Sequence, residues 1–139
     1  MKKELTLTRA VECVKDFHDA FGIENNYEPT VALSHEEIDL RYKLMREENE
    51  EYLDAAKAGD LFEVADALGD ILYILCGTML KHGLQDKMSE VFEEIQRSNM
   101  SKLGPNGIPI YREDGKVMKG PDYFKPDIKG ILNAETETA

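Results

Sequence analysis

The sequence predicts an all-α protein: a four- to five-helix bundle with an irregular C-terminal tail that contains a small hairpin. Apolar residues recur at three- and four-residue spacing through about the first 100 positions, which is the period of an amphipathic helix. Glycine and proline then become frequent, and a helix does not continue through such a composition. The 139 residues suffice for one domain. We divide it into a helical part (1–103) and a C-terminal extension (104–139) packed on the same domain.

The first helix is predicted over about residues 7–21. Its apolar face consists of residues at helical spacing: Leu7, Ala10, Val11, Val14, Phe17 and Phe21. Gly22 ends the helix, because glycine readily adopts the left-handed conformation that follows a helix C-terminus. The connector that follows, residues 23–33, contains two asparagines and a proline and is expected to be irregular.

A capping box marks the start of the second helix. Ser34 is followed three residues later by Glu37, so that each side chain can accept a hydrogen bond from the backbone of the other residue. The sequence therefore predicts a helix over about residues 35–58, which ends at Gly59.

The same pattern, Asp60 followed by Glu63, begins a third helix that continues to Gly83. A fourth helix is predicted over about residues 86–99, with these apolar residues on one face: Met88, Val91, Phe92 and Ile95. The short connections make helices two, three and four antiparallel neighbours. The third helix is apolar on more than one side, so we expect it to pack against another copy of the chain in a homodimer or homotetramer.

The C-terminal tail is rich in glycine and proline after Lys102. Asp114 and Gly115 lie between the apolar pairs 110–111 and 117–118, which predicts a hairpin with a type I′ turn. The last residues, from Asn133 onward, are expected to be disordered.

The composition limits the classes of function. There are 28 acidic residues and 17 basic residues, for a net charge of -11, which argues against nucleic acid or an anionic membrane as the main partner. No segment approaches the roughly 20 apolar residues of a membrane span, and the N-terminal region has no apolar signal-peptide core. The two cysteines have no metal-like spacing, and a cytoplasmic protein is expected.

Acidic residues interrupt the apolar faces of the second and third helices. Glu48 and Glu51 lie on an otherwise apolar stripe of the second helix. Asp66 and Asp70 share one face of the third, where the apolar surroundings of Asp70 predict that it is buried. Antiparallel packing across the turn at Gly59 can bring these four carboxylates together. Such a set of hard oxygen ligands suits Mg²⁺ or Mn²⁺.

Other interpretations explain less of this pattern. A solvated helix face accounts for Glu50 and Asp54, but not for Asp70. The Nudix box is not matched, because Glu48 stands where that box has an aliphatic residue and Leu53 where it has glycine. The Glu-x-x-His pattern of di-iron bundles does not occur.

The motif Glu47-Glu48-x-x-Glu51, followed after a short turn by Gly69-Asp70, resembles the all-α nucleoside triphosphate pyrophosphohydrolases. This superfamily includes the MazG-like proteins, the dimeric dUTPases and the phosphoribosyl-ATP pyrophosphohydrolases. The segments VADALGDILYILCGT and RSNMSKLGPNG are most similar to the phosphoribosyl-ATP pyrophosphohydrolase branch. The resemblance covers about residues 8–125.

The resemblance implies the activity and the ligand set. The expected reaction is Mg²⁺-dependent hydrolysis of the α-β phosphoanhydride of a nucleoside triphosphate. The expected role is house-cleaning, the removal of unwanted nucleotides from the cellular pool. It implies that Glu48, Glu51 and Asp70 bind the cation. Asp66 takes the place of the acid that the family has one residue later. Glu47, beside the ligands, is our candidate to orient or deprotonate the attacking water.

The resemblance also implies that Asn99 and Lys102 contact the nucleotide. Arg41 and Arg97 are further candidates to balance the phosphate charge. Two aromatic residues, Phe17 and Tyr73, are candidates to stack on the base, with burial in the core as the alternative. Phosphoribosyl-ATP is the alternative substrate, and a non-catalytic helical interaction module with a structural cation is the alternative from another class.

Overall fold

The computed structural model describes residues 4–138, with side chains described as far as residue 133. These residues form five α-helices and one 3₁₀ turn, which confirms the all-α fold class. The elements are α1 (Leu7–Ala20), α2 (His35–Ala58), α3 (Leu61–Lys81), α4 (Met88–Met100), the 3₁₀ turn (Pro105–Gly107) and α5 (Ile128–Thr138). The first four helices begin and end within about two residues of the predicted bounds, the usual scatter of helix ends.

Side-chain caps fix the N-termini of the first three helices. Ser34 accepts a hydrogen bond from the Glu37 backbone at 3.1 Å, and Asp60 accepts one from the Glu63 backbone at 3.2 Å. Both predicted N-caps are therefore confirmed. Thr6 caps α1 in the same way, a cap that the sequence does not announce because no glutamate or glutamine follows three residues later.

The described residues fall into two compact units, which divide between Asp86 and Lys87. In this division α4 groups with the C-terminal segment. The predicted helical part (1–103) and extension (104–139) stay a prediction. In the first unit α2 packs along α3, and α1 packs on α3. In the second unit α4 packs on α5.

Helices α2 and α3 are antiparallel. Arg41, near the start of α2, donates hydrogen bonds to Thr78 and to the Ile74 carbonyl near the end of α3. Further along α2, Glu48 lies beside Asp70, which comes earlier in α3. Gly59 makes the sharp turn between the helices with a φ of 71°. The predicted arrangement of these two helices is confirmed.

The core of the first unit is made mostly of small residues. Its buried apolar members are Ala10, Val11, Val14, Ala55, Ala67, Cys76, Met79 and Leu80. Small side chains at Ala55 and Ala67 let α2 and α3 approach closely. Phe17 and Phe21 are exposed, although the sequence analysis placed both on the apolar face of α1.

A polar layer completes the core near the end of α3. Arg41 and His18 both lie over Gly77, where a Cβ would stand 2.6 Å from Arg41 Nη2 and 2.9 Å from His18 Nε2. Burial lowers the pKa of His18, whose Nδ1 lies 2.6 Å from Asn25 Oδ1. Lys81 donates to the Glu24 carbonyl at 2.7 Å. Backbone carbonyl oxygens thus satisfy the charges of Arg41 and Lys81, which have little water around them, and an amide oxygen is the partner of the His18 ring.

The connector between α1 and α2 is irregular, as expected, but it is tied to the end of α3. The Asn26 backbone donates to the Leu80 carbonyl at 2.8 Å, and the Thr30 backbone donates to the His82 carbonyl at 2.9 Å. The Gln85 side chain donates to the Asn26 carbonyl at 2.9 Å. The first two bonds use carbonyls at the end of α3, where a helix leaves them without intrahelical partners.

In the second unit, Glu94 and Ser98 of α4 hold the segment that leads to α5. Glu94 accepts a hydrogen bond from the Asp127 backbone at 2.7 Å, and Ser98 donates to the Phe124 carbonyl at 2.8 Å. Arg97 pairs with Glu94 and lies 4.2 Å from the centre of the Phe124 ring. These contacts give the glycine-rich segment a defined path from α4 to α5.

The predicted hairpin is present as a single antiparallel bridge between Tyr111 and Val117. The predicted type I′ turn is wrong. That turn needs positive φ at both central residues, but Gly115 has a φ of 88° and Asp114 is not left-handed. The Gly115 backbone instead donates to the Arg112 carbonyl at 2.9 Å, so glycine takes the left-handed position after the turn.

The end of the described chain is helical where the sequence analysis expected disorder. Helix α5 runs over Ile128–Thr138, and Ala139 lies outside the described residues. Asp127 caps its start by accepting a hydrogen bond from the Gly130 backbone at 3.0 Å. The start signal of this helix, the N-cap at Asp127, lies upstream of the acidic last residues, and the sequence analysis did not recognise it.

None of the helices within residues 4–138 is both long and apolar enough to cross a membrane.

Two left-handed glycines give a matched test of the anchored connector. A Cβ at Gly83 would strike the backbone of Glu28, whereas a Cβ at Gly59 would meet open space. Gly59→Ala should cost about 1–2 kcal/mol from its conformation alone. Gly83→Ala should cost about 3–4 kcal/mol, because the connector must also move. Urea unfolding measures both, and equal costs for the two variants would contradict the tight packing at Gly83.

Candidate active site

Three acidic residues of α2 and α3 meet on one side of the helix pair. Glu48, Glu51 and Asp70 each offer a carboxylate oxygen, and these oxygens all lie within 4.8 Å of one another. Glu48 and Asp70 are half-buried and Glu51 is exposed, so the predicted burial of Asp70 is only partial. We call these three residues the acidic cluster.

Glu48 is the most perturbed member of the acidic cluster. Its Oε2 atom is buried and has no hydrogen-bond partner within the described part of the chain. The pKa of Glu48 is raised to about 7, first by burial and then by a hydrogen bond to Glu51 and by the charges of Glu51, Asp70 and Asp66. A carboxyl in this position therefore favours a proton or a cation beside it.

Asp66 lies outside the close set. It precedes Asp70 by one helical turn and is exposed, and it does not contribute an oxygen to the group within 4.8 Å. Its negative charge still helps to raise the pKa of Glu48. The sequence placed Asp66 on the correct helix face but did not fix its distance from the other acids. Its role as a ligand stays a prediction.

Glu47 is exposed beside Glu48 on α2. Consecutive residues of a helix point about 100° apart, so Glu47 does not share the direction of Glu48. Its carboxylate is in contact with water. Its role in activating the attacking water stays a prediction.

Asn99 and Lys102, the predicted nucleotide contacts, lie in the second unit. Asn99 is exposed in the last turn of α4, and the Lys102 backbone donates to its carbonyl at 3.1 Å. The Lys102 side chain is half-buried. Their contact with a nucleotide stays a prediction.

The two further candidates for phosphate binding have other partners. Arg41 is buried and donates to the Thr78 hydroxyl and the Ile74 carbonyl. Arg97 pairs with Glu94 and covers Phe124. A single arginine on a helix gives no sign in the sequence of whether its guanidinium reaches solvent or a backbone carbonyl. The contact of Arg41 and Arg97 with phosphate stays a prediction.

The acidic cluster fits a divalent cation. Its donors are all carboxylate oxygens, which hard cations such as Mg²⁺ and Mn²⁺ prefer. The unpartnered Oε2 of Glu48 supplies an oxygen that the protein itself leaves without a donor. A cation among the three carboxylates would offset both the burial and the neighbouring negative charges that raise the pKa of Glu48.

A comparison with known protein families identifies the family to which this chain belongs. The family model for phosphoribosyl-ATP pyrophosphohydrolase (PRA-PH) matches residues 14–99, which is more than half of the chain. The chain belongs to this family. The matched region contains the acidic cluster and ends at Asn99, and the family lies in the same superfamily as the MazG-like proteins. No curated protein matches the chain.

Membership in the PRA-PH family indicates a pyrophosphohydrolase that acts on a nucleotide phosphate. The acidic cluster lies on the two helices in which the sequence motif predicted it. The family and the clustered carboxylates therefore point to the same part of the molecule.

The raised pKa of Glu48 makes the stability of the cation-free protein depend on pH. The pKa is about 7 in the folded protein against an ordinary value of 4.5, so the folded state binds this proton more tightly. The resulting stabilisation is complete below about pH 4.5 and is lost as the pH rises through 7. Glu48→Gln should therefore raise the free energy of unfolding at pH 8 by about 1–2 kcal/mol, measured by urea unfolding.

Asp39→Asn is the matched control, because Asp39 is an exposed carboxylate of the same helix. It should leave the decline in stability between pH 4.5 and 7 unchanged, whereas Glu48→Gln should flatten it. A Glu48→Gln protein that declines as steeply as the wild type would contradict the assignment.

Proposed function

We propose that this protein hydrolyses the α-β phosphoanhydride of a nucleoside triphosphate in the presence of Mg²⁺, with Mn²⁺ as a substitute. The products are the nucleoside monophosphate and pyrophosphate, and the role is to clear nucleotides from the cellular pool. The observation that carries the proposal is the acidic cluster, whose three carboxylate oxygens lie within 4.8 Å in a chain of the PRA-PH family.

Glu48, Glu51 and Asp70 would hold the cation, with Asp66 close enough along α3 to assist through its charge. When bound, Mg²⁺ neutralises phosphate charge and lowers the pKa of water next to it. The half-buried position of Glu48 and Asp70 supports this assignment, because partial exclusion of water strengthens their attraction for a cation.

The attacking water needs a group that orients it and takes its proton, and Glu47 is the residue we propose. Its carboxylate is exposed next to the acidic cluster in sequence. The water oxygen forms a bond to the α-phosphorus, the bond from that phosphorus to the bridging oxygen breaks, and pyrophosphate leaves with the bridging oxygen. Asn99 and Lys102 would bind the nucleotide, with the lysine ammonium offsetting phosphate charge.

Phosphoribosyl-ATP is a second candidate substrate. The description of the matching family model favours it. It contains the same phosphoanhydride, so the same carboxylates would serve both reactions. A panel of canonical and modified nucleoside triphosphates and phosphoribosyl-ATP, scored for pyrophosphate, separates the two substrates by their kcat/KM values.

Asp70→Asn tests the cation site. The variant should lose at least about 100-fold in Mg²⁺-dependent release of pyrophosphate, because one of the three clustered carboxylates no longer carries charge. It should remain folded by circular dichroism, since Asp70 is only half-buried. Asp39→Asn, which removes an exposed carboxylate of α2, is the control and should retain full activity.

The outcomes separate enzyme from interaction module. If the wild-type protein releases no pyrophosphate from any member of the panel, the chain acts as a non-catalytic module and the proposal fails. Full activity in a folded Asp70→Asn protein would remove the acidic cluster from the mechanism.

The same proposal includes a homodimer or homotetramer. An aliphatic stripe of α3 supports it: Leu68, Leu72 and Leu75 follow at four- and three-residue spacing and are 51%, 43% and 42% exposed. Leucines that share a helix face and meet water on a chain with a small core are typical of an interface between subunits.

Leu72→Glu should shift the protein to the monomer in sedimentation-velocity ultracentrifugation, because a carboxylate at the centre of an apolar interface is costly to bury. Phe62→Glu is the control, since Phe62 is 85% exposed on the same helix but outside the aliphatic stripe. An unchanged assembly in Leu72→Glu, or a monomeric wild type, would exclude this stripe as the interface.

A further inference from the structure

Three aromatic side chains lie together on the surface of the first unit. The ring centres of Phe17 and Phe21 are 4.5 Å apart, and those of Phe17 and Tyr73 are 5.7 Å apart with the rings nearly perpendicular. We call these residues the aromatic cluster. Phe17 lies in α1, Phe21 directly follows that helix, and Tyr73 lies in α3.

The aromatic cluster is not part of the core. Phe17 is 39% exposed, Phe21 69% and Tyr73 41%, whereas the neighbouring core residues Cys76 and Leu80 are fully buried. Exposed aromatic rings in contact with one another form an apolar patch that water solvates poorly. Their flat faces suit a flat partner.

The position of Tyr73 relates the aromatic cluster to the acidic cluster. Tyr73 follows Asp70 by three residues on α3, so the two share a helix face and are displaced by about 4.5 Å along the axis. The aliphatic stripe lies elsewhere on α3, with its leucines about 140–160° around the helix from Asp70. The two apolar surfaces of α3 are therefore separate, and only the aromatic one adjoins the carboxylates.

We propose that the aromatic cluster binds the base of the nucleotide by stacking. This inference rests on the proposed function, because it takes the phosphates to lie at the acidic cluster. A nucleotide presents an apolar flat base at a short distance from its phosphates, and the surface presents exposed rings one helical turn beyond Asp70. An aromatic patch bordered by carboxylates is poorly suited to a second copy of the chain, which would have to remove both from water.

Stacking determines what such a site distinguishes. Every base has a π face, so rings alone bind many bases and favour those with the larger stacking area. The site should therefore separate nucleotides from base-free phosphates strongly, and purines from pyrimidines modestly. No polar side chain of the aromatic cluster other than the Tyr73 hydroxyl is available to read base edges.

Phe21→Ala is the direct test, because Phe21 is the most exposed ring of the three and its loss leaves the core intact. Phe92→Ala is the matched control, since Phe92 is 67% exposed and lies on α4 in the other unit. Isothermal titration calorimetry with Mg²⁺ compares two probes: the α,β-methylene analogue of ATP, which resists hydrolysis at the relevant bond, and inorganic triphosphate, which has no base.

Phe21→Ala should weaken binding of the ATP analogue about tenfold and binding of inorganic triphosphate less than about twofold. Phe92→Ala should change neither affinity, and Tyr73→Phe should retain binding because it keeps the ring. Unchanged affinity of Phe21→Ala for the ATP analogue would overturn the proposal. The proposal would also be overturned by an equal loss of affinity for both probes, by a change in sedimentation without a change in affinity, or by a wild-type protein that binds neither probe.

Hydrolysis of ATP is measured separately, so that the two proposals can fail independently. If the wild type releases no pyrophosphate but Phe21→Ala selectively loses the ATP analogue, the proposed function fails and the base site stands. If the wild type hydrolyses ATP and Phe21→Ala keeps the KM of the wild type, the base site fails and the proposed function stands.

Discussion

The close antiparallel packing of α2 against α3 is the constraint on which the rest of the first unit depends. The buried small side chains of Ala55 and Ala67 permit this approach near the Gly59 turn. Arg41 fixes the other end by donating to the Ile74 carbonyl and the Thr78 hydroxyl. Between these two ends the paired helices bring carboxylate oxygens of the acidic cluster within 4.8 Å of one another. Their crowding is therefore a consequence of the helix pairing and not of a flexible loop.

The helix pair places opposite charges at different points along its length. Arg41 and Lys81 are buried near the end of α3, where carbonyl oxygens satisfy them. The acidic cluster lies nearer the turn, and there the protein provides no donor for Glu48 Oε2 within the described residues. A fold that satisfies these buried cations but leaves this carboxylate oxygen unpartnered carries a free-energy cost at the acidic cluster. Such costs are typical of sites that a ligand completes.

The helices that begin with a capping box could be predicted from the sequence, and the features that depend on packing could not. Ser34 and Asp60 mark the starts of their helices in the sequence, because an N-cap is a contact between residues only three positions apart. The match of Glu48 with Asp70 followed from helical periodicity and a short turn. The partners of Arg41, the distance of Asp66 from the other acids and the exposure of Phe21 depend on how helices approach one another, which periodicity does not specify. The PRA-PH family match supplied the class of reaction, which no spacing of acids determines.

Helix α3 explains why one short chain can combine these features. Its residues are apolar on most sides, a pattern that in isolation favours complete burial. The structure instead divides the helix among four surroundings: α2, α1, the aromatic cluster beside Asp70, and the aliphatic stripe of leucines. Only the first two are filled within the described chain. The remaining two surfaces differ in chemistry, since flat rings next to carboxylates suit a nucleotide and branched aliphatic side chains suit another protein surface. Under these two proposals, the excess of apolar residues on α3 would serve two different partners rather than a larger core.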